Sequence, residues 1–302
     1  MLKIFVILVH YLNQDITEKC LNSLNHLNKH NLIVEVVIVN NNPKEDLIKL
    51  KQKYFKYTFL DSRENLGFAE GNNIGIRKAL GNGANYILIL NNDTIIDQNL
   101  IIDLIEPFKL DKMIGAVSPK IYFAPGYEYH INRYQKNELG KVIWYAGGIF
   151  DWQNVLGSHR GVDKVDKGQY DTQMETDFIT GCAVMIKKEV INKVGFFDAS
   201  LFMYLEDIDL SQRIKNSGYK IIFCPKGRLW HFNSGSSTVG SNLQDYFITR
   251  NRLVVGMRYA SFRTKLALIK ESVKLFFTGR QWQRIGVKDY FLNLKGIGSW
   301  KG

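Results

Sequence analysis

Cysteine is scarce in this 302-residue chain: Cys20, Cys182 and Cys224 are an odd number, far apart, with no CxxC pair. That argues against a disulfide framework or a cysteine-based zinc site, and fits a reducing cytoplasm. Long apolar runs are missing as well, and nothing approaches the roughly 18 residues of a membrane span. The apolar run at residues 4–9 follows Lys3 as a signal peptide might, but it is too short, lacks a small-residue cleavage site and meets Tyr11, Asn13 and Asp15 at once. It reads as a buried strand. Internal repeats, low-complexity tracts, a P-loop and the GxGxxG dinucleotide fingerprint are all absent. Acids are nearly missing from residues 250–302, where twelve Lys and Arg face only Glu271 and Asp289. The net charge of +11 is therefore concentrated in that tail, and the body is close to neutral. Such asymmetry points to an anionic partner surface. With no RNA- or DNA-binding motif, nucleic acid is not expected.

What is present is apolar residue in abundance, 45% of the chain, enough for one large domain or two joined lobes. Residues 4–9, 34–39, 57–60 and 86–90 are β-rich runs of strand length, and 15–28, 42–53 and 69–80 show helical spacing, with Gly81 placed to end the last helix. This alternation predicts an α/β fold: a mixed, mostly parallel sheet flanked by helices. Ligands in such sheets bind beyond the carboxyl ends of the strands. Those ends carry His10-Tyr11-Leu12-Asn13, Asn40-Asn41-Asn42 and Asn91-Asn92-Asp93. Residues 121–176 look aromatic, glycine-punctuated and loop-like. Order is expected again at 178–187, in a helix over 206–217 and in a strand over 219–223. The division is an alternating strand–helix half at 1–120, a second half of the same domain at 121–249, and a basic helical tail at 250–302.

Three constellations could carry chemistry, and each has a plain structural alternative. Asp93 at a strand end can hold Mg²⁺ or Mn²⁺ against a diphosphate, or simply cap a turn. The stretch 65–73, with Gly67 and Gly71, permits close backbone approach to an anion at a helix N-terminus, or is a capped helix start. Glu206-Asp207-Ile208-Asp209 offers a general base, or complements a helix dipole. Asp207 and Asp209 lie two residues apart and face different sides, so at most one of them serves as the base. His231, near the second acid cluster, is a candidate ligand or, as a lone histidine more often is, a satisfied core or surface residue.

Taken as an ordered set, these stretches resemble the inverting glycosyltransferases of family 2 with the GT-A fold, especially the rhamnosyltransferase-like branch. The resemblance is carried by residues 65–73, Asn91-Asn92-Asp93, Tyr145-Ala146-Gly147-Gly148, Asp177 to Ala183, Gly195-Phe196-Phe197-Asp198, Phe202 to Leu210, Arg213, Pro225, His231 and Thr249-Arg250-Asn251-Arg252. It implies Asp93, His231 and the neutral oxygen of Asn91 as ligands of Mg²⁺ or Mn²⁺. It implies Asp207 as the general base, with Glu206 as a second carboxyl that shapes the acceptor site. Donor contacts would come from Val9, Tyr11, Asn40, Asn65, Gly67, Phe68, Asn73, Asn92 and Arg250, and acceptor contacts from Trp144, Gly181 and Glu206. Two positions depart from the family pattern: Asn91 stands where an acid is common, and Asn40 where an Asp usually reads a pyrimidine. The QxxRW signature of processive synthases is absent.

The expected activity is metal-dependent, inverting transfer of a sugar from dTDP-L-rhamnose or a UDP-sugar to a glycan or lipid-linked acceptor, in surface polysaccharide synthesis. Rival readings are a sugar-nucleotide nucleotidylyltransferase, for which no glycine- and arginine-rich loop follows the first strand, and a non-catalytic glycan- or membrane-binding scaffold. In the tail, Phe262, Leu266, Ile269, Val273 and Phe276 form one apolar helix face with Lys265, Lys270 and Lys274 beside it. That face can dock on the body or lie on an anionic membrane. The expected location is cytoplasmic, peripheral at the inner face of the cell membrane.

Overall fold

The computed structural model describes residues 1–233 and 240–301. The chain opens β1 (Leu2–His10), α1 (Gln14–Asn25), β2 (Leu32–Asn40), α2 (Ile48–Lys53), β3 (Thr58–Asp61), α3 (Gly67–Gly81) and β4 (Tyr86–Leu90). It continues with β5 (Thr94–Ile96), α4 (Leu100–Leu110), β6 (Ile114–Phe123), β7 (Ile143–Tyr145), β8 (Gly148–Asp151), β9 (Leu156–His159), β10 (Met174–Glu175) and β11 (Ala183–Lys187). Then follow α5 (Lys188–Val194), α6 (Glu206–Asn216), β12 (Lys220–His231), α7 (Asn242–Tyr259), α8 (Phe262–Thr278) and α9 (Gln281–Phe291).

Ten strands form one sheet in the order β10-β12-β6-β11-β4-β1-β2-β3, with β5 on β12 and β7 on β6; β8 and β9 form a separate hairpin. β4, β1, β2 and β3 run parallel, as do β6 and β12, while β11 is antiparallel to both its neighbours. Residues alternate between the two faces along β1. Ile4, Val6 and Leu8 enter the core shared with α1 and α4, and Phe5 and Ile7 enter the core beneath α3, α5 and α6. Both faces are covered, which is why the strand reads as a continuous apolar run.

The expected strands and helices of the first 90 residues are present, with corrections. α2 begins at Ile48, because side chains of Asn40 and Asn42 accept the amides of Asn42 and Lys44 and hold 42–45 as turns. α3 runs through Gly81; Asn82 caps it, and Gly83 takes the left-handed turn at φ 78°. The strand expected at 219–223 extends to His231 through an irregularity between Cys224 and Arg228, where Pro225 has no amide for the ladder. β6, wholly buried, lies across residue 120, so the two halves share one sheet.

Candidate active site

The carboxyl ends of β1, β4, β6 and β12 meet at one edge of the sheet, and β11 runs back from that edge. Its first residue, Ala183, pairs with Leu90, so the residues just before β11 lie against those just after β4. The Asn91 amide donates to the Cys182 carbonyl (2.8 Å), and the Gly181 amide donates to Oδ2 of Asp207 (3.2 Å). One three-residue segment, Gly181-Cys182-Ala183, thereby joins the Asp93 loop to the start of α6. The buried Cys182 thiol is pushed well up by burial and further by the Asp93 charge, which places that charge close by.

β5 fixes the partner of Asp93. It pairs antiparallel with the end of β12, Thr94 opposite His231, and the Phe232 amide donates to the Asp93 carbonyl (2.9 Å). Nε2 of His231 consequently stands 3.0 Å from Oδ1 of Asp93, with both residues buried. The loop is propped from α1: the Asn92 side chain donates to Thr17 Oγ1 (2.7 Å), Thr17 meets His10 Nδ1 (2.8 Å), and Thr94 Oγ1 donates to the Asn91 carbonyl (2.8 Å). Trp144 lies edge-on to His231, ring centres 4.7 Å apart, and to His159 at 4.3 Å. Burial lowers His159 to a pKa of about 4, so it is neutral.

The pair suits a divalent cation. Two ligands on adjacent corners of an octahedron with bonds of about 2.1 Å stand about 3.0 Å apart, which is the Asp93–His231 spacing. Nδ1 of His231 is buried without a hydrogen-bond partner among the described residues. No cluster of three His, Cys, Asp or Glu side chains occurs among the described residues. A metal here would need oxygens from its ligand, such as a diphosphate, to complete its shell.

The acid cluster divides as helical geometry requires. Asp209 turns inward to Arg213 (2.9 Å), Arg258 (2.8 Å) and the Tyr259 hydroxyl (2.8 Å). Asp207 points the other way, to Gly181. Burial pushes the Asp207 carboxyl up to about 6. Burial, and then the Asp207 charge, raise Glu206 well above the usual carboxylate range. Glu206 Oε2 is buried with no hydrogen-bond partner among the described residues. Of the two, Glu206 is the carboxyl that its neighbour's charge also disfavours, so the pair resists carrying two charges at once.

The loop before α6 is bent sharply: Phe202, Tyr204 and Leu205 have φ of 65°, 66° and 68°. Each such residue costs roughly 1–3 kcal/mol and persists only when held. The holder is α7. Asn251 Nδ2 lies within 2.8–2.9 Å of the carbonyls of Leu201, Met203 and Tyr204, and Arg250 Nη2 donates to Leu201 (3.1 Å). This corrects the reading of Arg250 as a donor contact. Its side chain is buried and its remaining donors go to Asn251, Tyr246 and the Gly296 carbonyl. Asn73 is corrected likewise: its amide clamps the Phe197 backbone in both directions, at 3.0 Å each way.

The other candidates lie at the ends of β1 and β2 and at the start of α3. Val9 packs beside Gly71, and Tyr11 is partly exposed beyond the strand. Asn40 spends its amide on the Glu45 carbonyl (3.0 Å) and Asp61 (3.2 Å), leaving one oxygen lone pair beyond its bond to Asn42. Asn65 accepts from Gly67 (2.9 Å) and from Asn41 (3.1 Å). Asn41, which has no assigned role within the polar end of β2, pins this turn by also bonding Leu66 and Gly67. Gly67 has φ 73°, and a Cβ there would sit 2.5 Å from the Phe202 carbonyl oxygen, so glycine is required. The Phe68 ring covers Gly181, where a Cβ would come within 2.9 Å of it.

The family model described as Glycosyl transferase family 2 matches residues 5–195. Poly-β-1,6-N-acetyl-D-glucosamine synthase of Staphylococcus aureus (strain COL) is 30% identical over 207 residues, covering 65% of this chain and 42% of the relative. The chain thus spans less than half the length of that curated relative. Among solved structures, GalNAc-T7 with UDP, GalNAc and Mn²⁺ aligns with a TM-score of 0.69 at 16% identity, over 98% of this chain and 55% of that one. The mannosyltransferase PcManGT of Pyrobaculum calidifontis, with GDP-Man and Mn²⁺, aligns at 0.54 and 14%, over 98% and 76%. Residues 1–349 of TarS from S. aureus align at 0.57 and 12%, over 96% and 79%.

Proposed function

The chain belongs to glycosyl transferase family 2 and has the GT-A fold, and on that premise we propose that it transfers a sugar from a nucleotide-diphosphate donor to a glycan or lipid-linked acceptor with inversion, in surface polysaccharide synthesis. The observation that carries the reading is the segment 181–183, which ties the Asp93–His231 pair and Asp207 to one crevice. Named relatives make or bind such molecules: one is a polysaccharide synthase, and two neighbours hold UDP or GDP-Man with Mn²⁺.

Asp93 and His231 would hold Mg²⁺ or Mn²⁺, with Asn91 offering a neutral oxygen. When bound there, the ion would supply electrostatic stabilisation for the departing diphosphate. Asp207 takes the proton of the acceptor hydroxyl as that oxygen attacks the anomeric carbon from the face opposite the leaving group. The Gly181 amide holds Asp207 in place, and Glu206 beside it, in its protonated form, donates a hydrogen bond to the acceptor. Trp144, next to His231, offers an aromatic wall for a sugar ring. The turn at Asn65-Leu66-Gly67 brings backbone close to the donor. The remaining lone pair of Asn40 accepts the N3–H of a pyrimidine, which supports dTDP-L-rhamnose or a UDP-sugar as donor.

A thermal-melt screen of nucleotide sugars with and without Mn²⁺ tests this. A metal-dependent rise with a dTDP- or UDP-sugar, lost in Asp93→Ala, is expected. No shift with any nucleotide sugar in the presence of Mn²⁺ defeats the proposal.

A further inference from the structure

The outer face of α8 is a feature that sugar transfer leaves unused. α8 is held to the body by Thr264, Leu268 and Ser272, all buried, with Leu268 only 2% exposed. Its other side is a stripe of Phe262, Leu266, Ile269, Val273, Phe276 and Phe277, which span an arc of about 100° at 3.6 residues per turn. Phe262 is 74% exposed, Leu266 56%, Val273 51% and Phe277 73%. Contiguous apolar patches of this kind mark an interaction surface.

Charge decides what covers it. Lys265 borders the stripe on one side, and Arg263, Lys270 and Lys274 on the other. The helix's one acid, Glu271, is turned toward α7, where Arg252 pairs with it at 2.7 Å. A stripe rimmed only by cations meets like charge if it faces a second copy of itself across a two-fold axis. An anionic bilayer satisfies both parts at once, since acyl chains take the phenylalanines while lipid phosphates take the lysines. No helix among the described residues is long and apolar enough to cross a membrane, so the contact is with the surface.

We propose that α8 lies in the headgroup layer of an anionic membrane, with Phe262, Leu266, Val273 and Phe277 turned into the lipid. The inference does not rest on the transfer reaction. The full chain, with neither donor nor acceptor, is floated with phosphatidylcholine vesicles made with or without phosphatidylglycerol. Binding to the anionic vesicles alone, weakened by salt, is expected. Lys270→Glu with Lys274→Glu should lower the partition on the order of tenfold or more. Leu266→Glu with Val273→Glu should abolish it while the melting temperature holds, because both residues are more than half exposed. Three results overturn the proposal: no binding to either vesicle, binding untouched by both variants, or a concentration-dependent dimer that Leu266→Glu/Val273→Glu dissolves. Because the donor-binding melts use no vesicles, failure here is distinguishable from failure of the transfer reading.

Discussion

Asp207 and Asp93 carry different parts of the chemistry, and single substitutions should separate them. Asp207→Asn is expected to reduce turnover ~10²–10⁴-fold while leaving donor affinity unchanged, measured by nucleotide diphosphate release and by calorimetry. Folding raises the Asp207 pKa to about 6, so the native state holds the proton more tightly than the unfolded chain. This carboxyl therefore destabilises the fold as pH rises from about 4 through 6. The same Asn variant should melt at or above the wild-type temperature at pH 8, and a clear fall would contradict the burial argument. The rate of the native enzyme should decline in acid through about pH 6, as the base is protonated. Asp93→Ala, or chelation of the metal, should instead weaken donor binding, and unchanged affinity in the presence of Mn²⁺ would remove Asp93 from the metal site. At Gly67 the backbone is the constraint. Gly67→Ala must adopt φ 73° and push against Phe202, costing at least ~2 kcal/mol in a denaturant melt.

Elements place these residues, and here the sequence was readable in some stretches and opaque in others. Strands β1 to β4 were legible because buried parallel strands are continuous apolar runs, and their polar ends announced the crevice. β6 was not: Gly115, Pro119 and Lys120 interrupt its apolar pattern, and Lys120 is tolerated only because Asp166 and Asp171 meet it at 2.8 and 2.5 Å from distant loops. Such pairing has no local signal. Arg250 was misread for a related reason, since a buried arginine and a ligand-binding arginine look alike in sequence. The stripe on α8 was visible, but which side of the helix faces inward depends on how α7 and α9 pack against it. Asn251 gives the element-scale prediction. Asn251→Ala frees three carbonyls of a strained loop, and should cost ~2–3 kcal/mol of stability and lower turnover while the donor dissociation constant is kept. A variant that binds and turns over donor normally would show that α7 does not hold the base.

Across the whole molecule, the C-terminal helices are less an appendage than the charge profile suggested. Asp289 is buried, accepts from the Tyr246 hydroxyl and from Ser299, and sits in α9 against α7. Gly296 accepts from Arg250. Removing residues 286–301 should therefore lower the melting temperature and the turnover together, whereas charge changes on the exposed face of α8 should alter neither. The contrast, read by calorimetric melts of both variants, distinguishes the packed part of the tail from its outer surface.

The grip of Arg250 and Asn251 on the bend before α6 also has a consequence in time. During synthesis, β1 to β4 and their helices are complete while the rest of the chain is still being made, and the Asp93–His231 pair closes once β12 is added against β5. The bend that aims Asp207 has to wait for α7, and Arg250 waits longer still for the Gly296 carbonyl. The base is thus the last part of the crevice to be set, and a nascent chain halted ahead of Gly296 should hold nucleotide sugar before it can consume any.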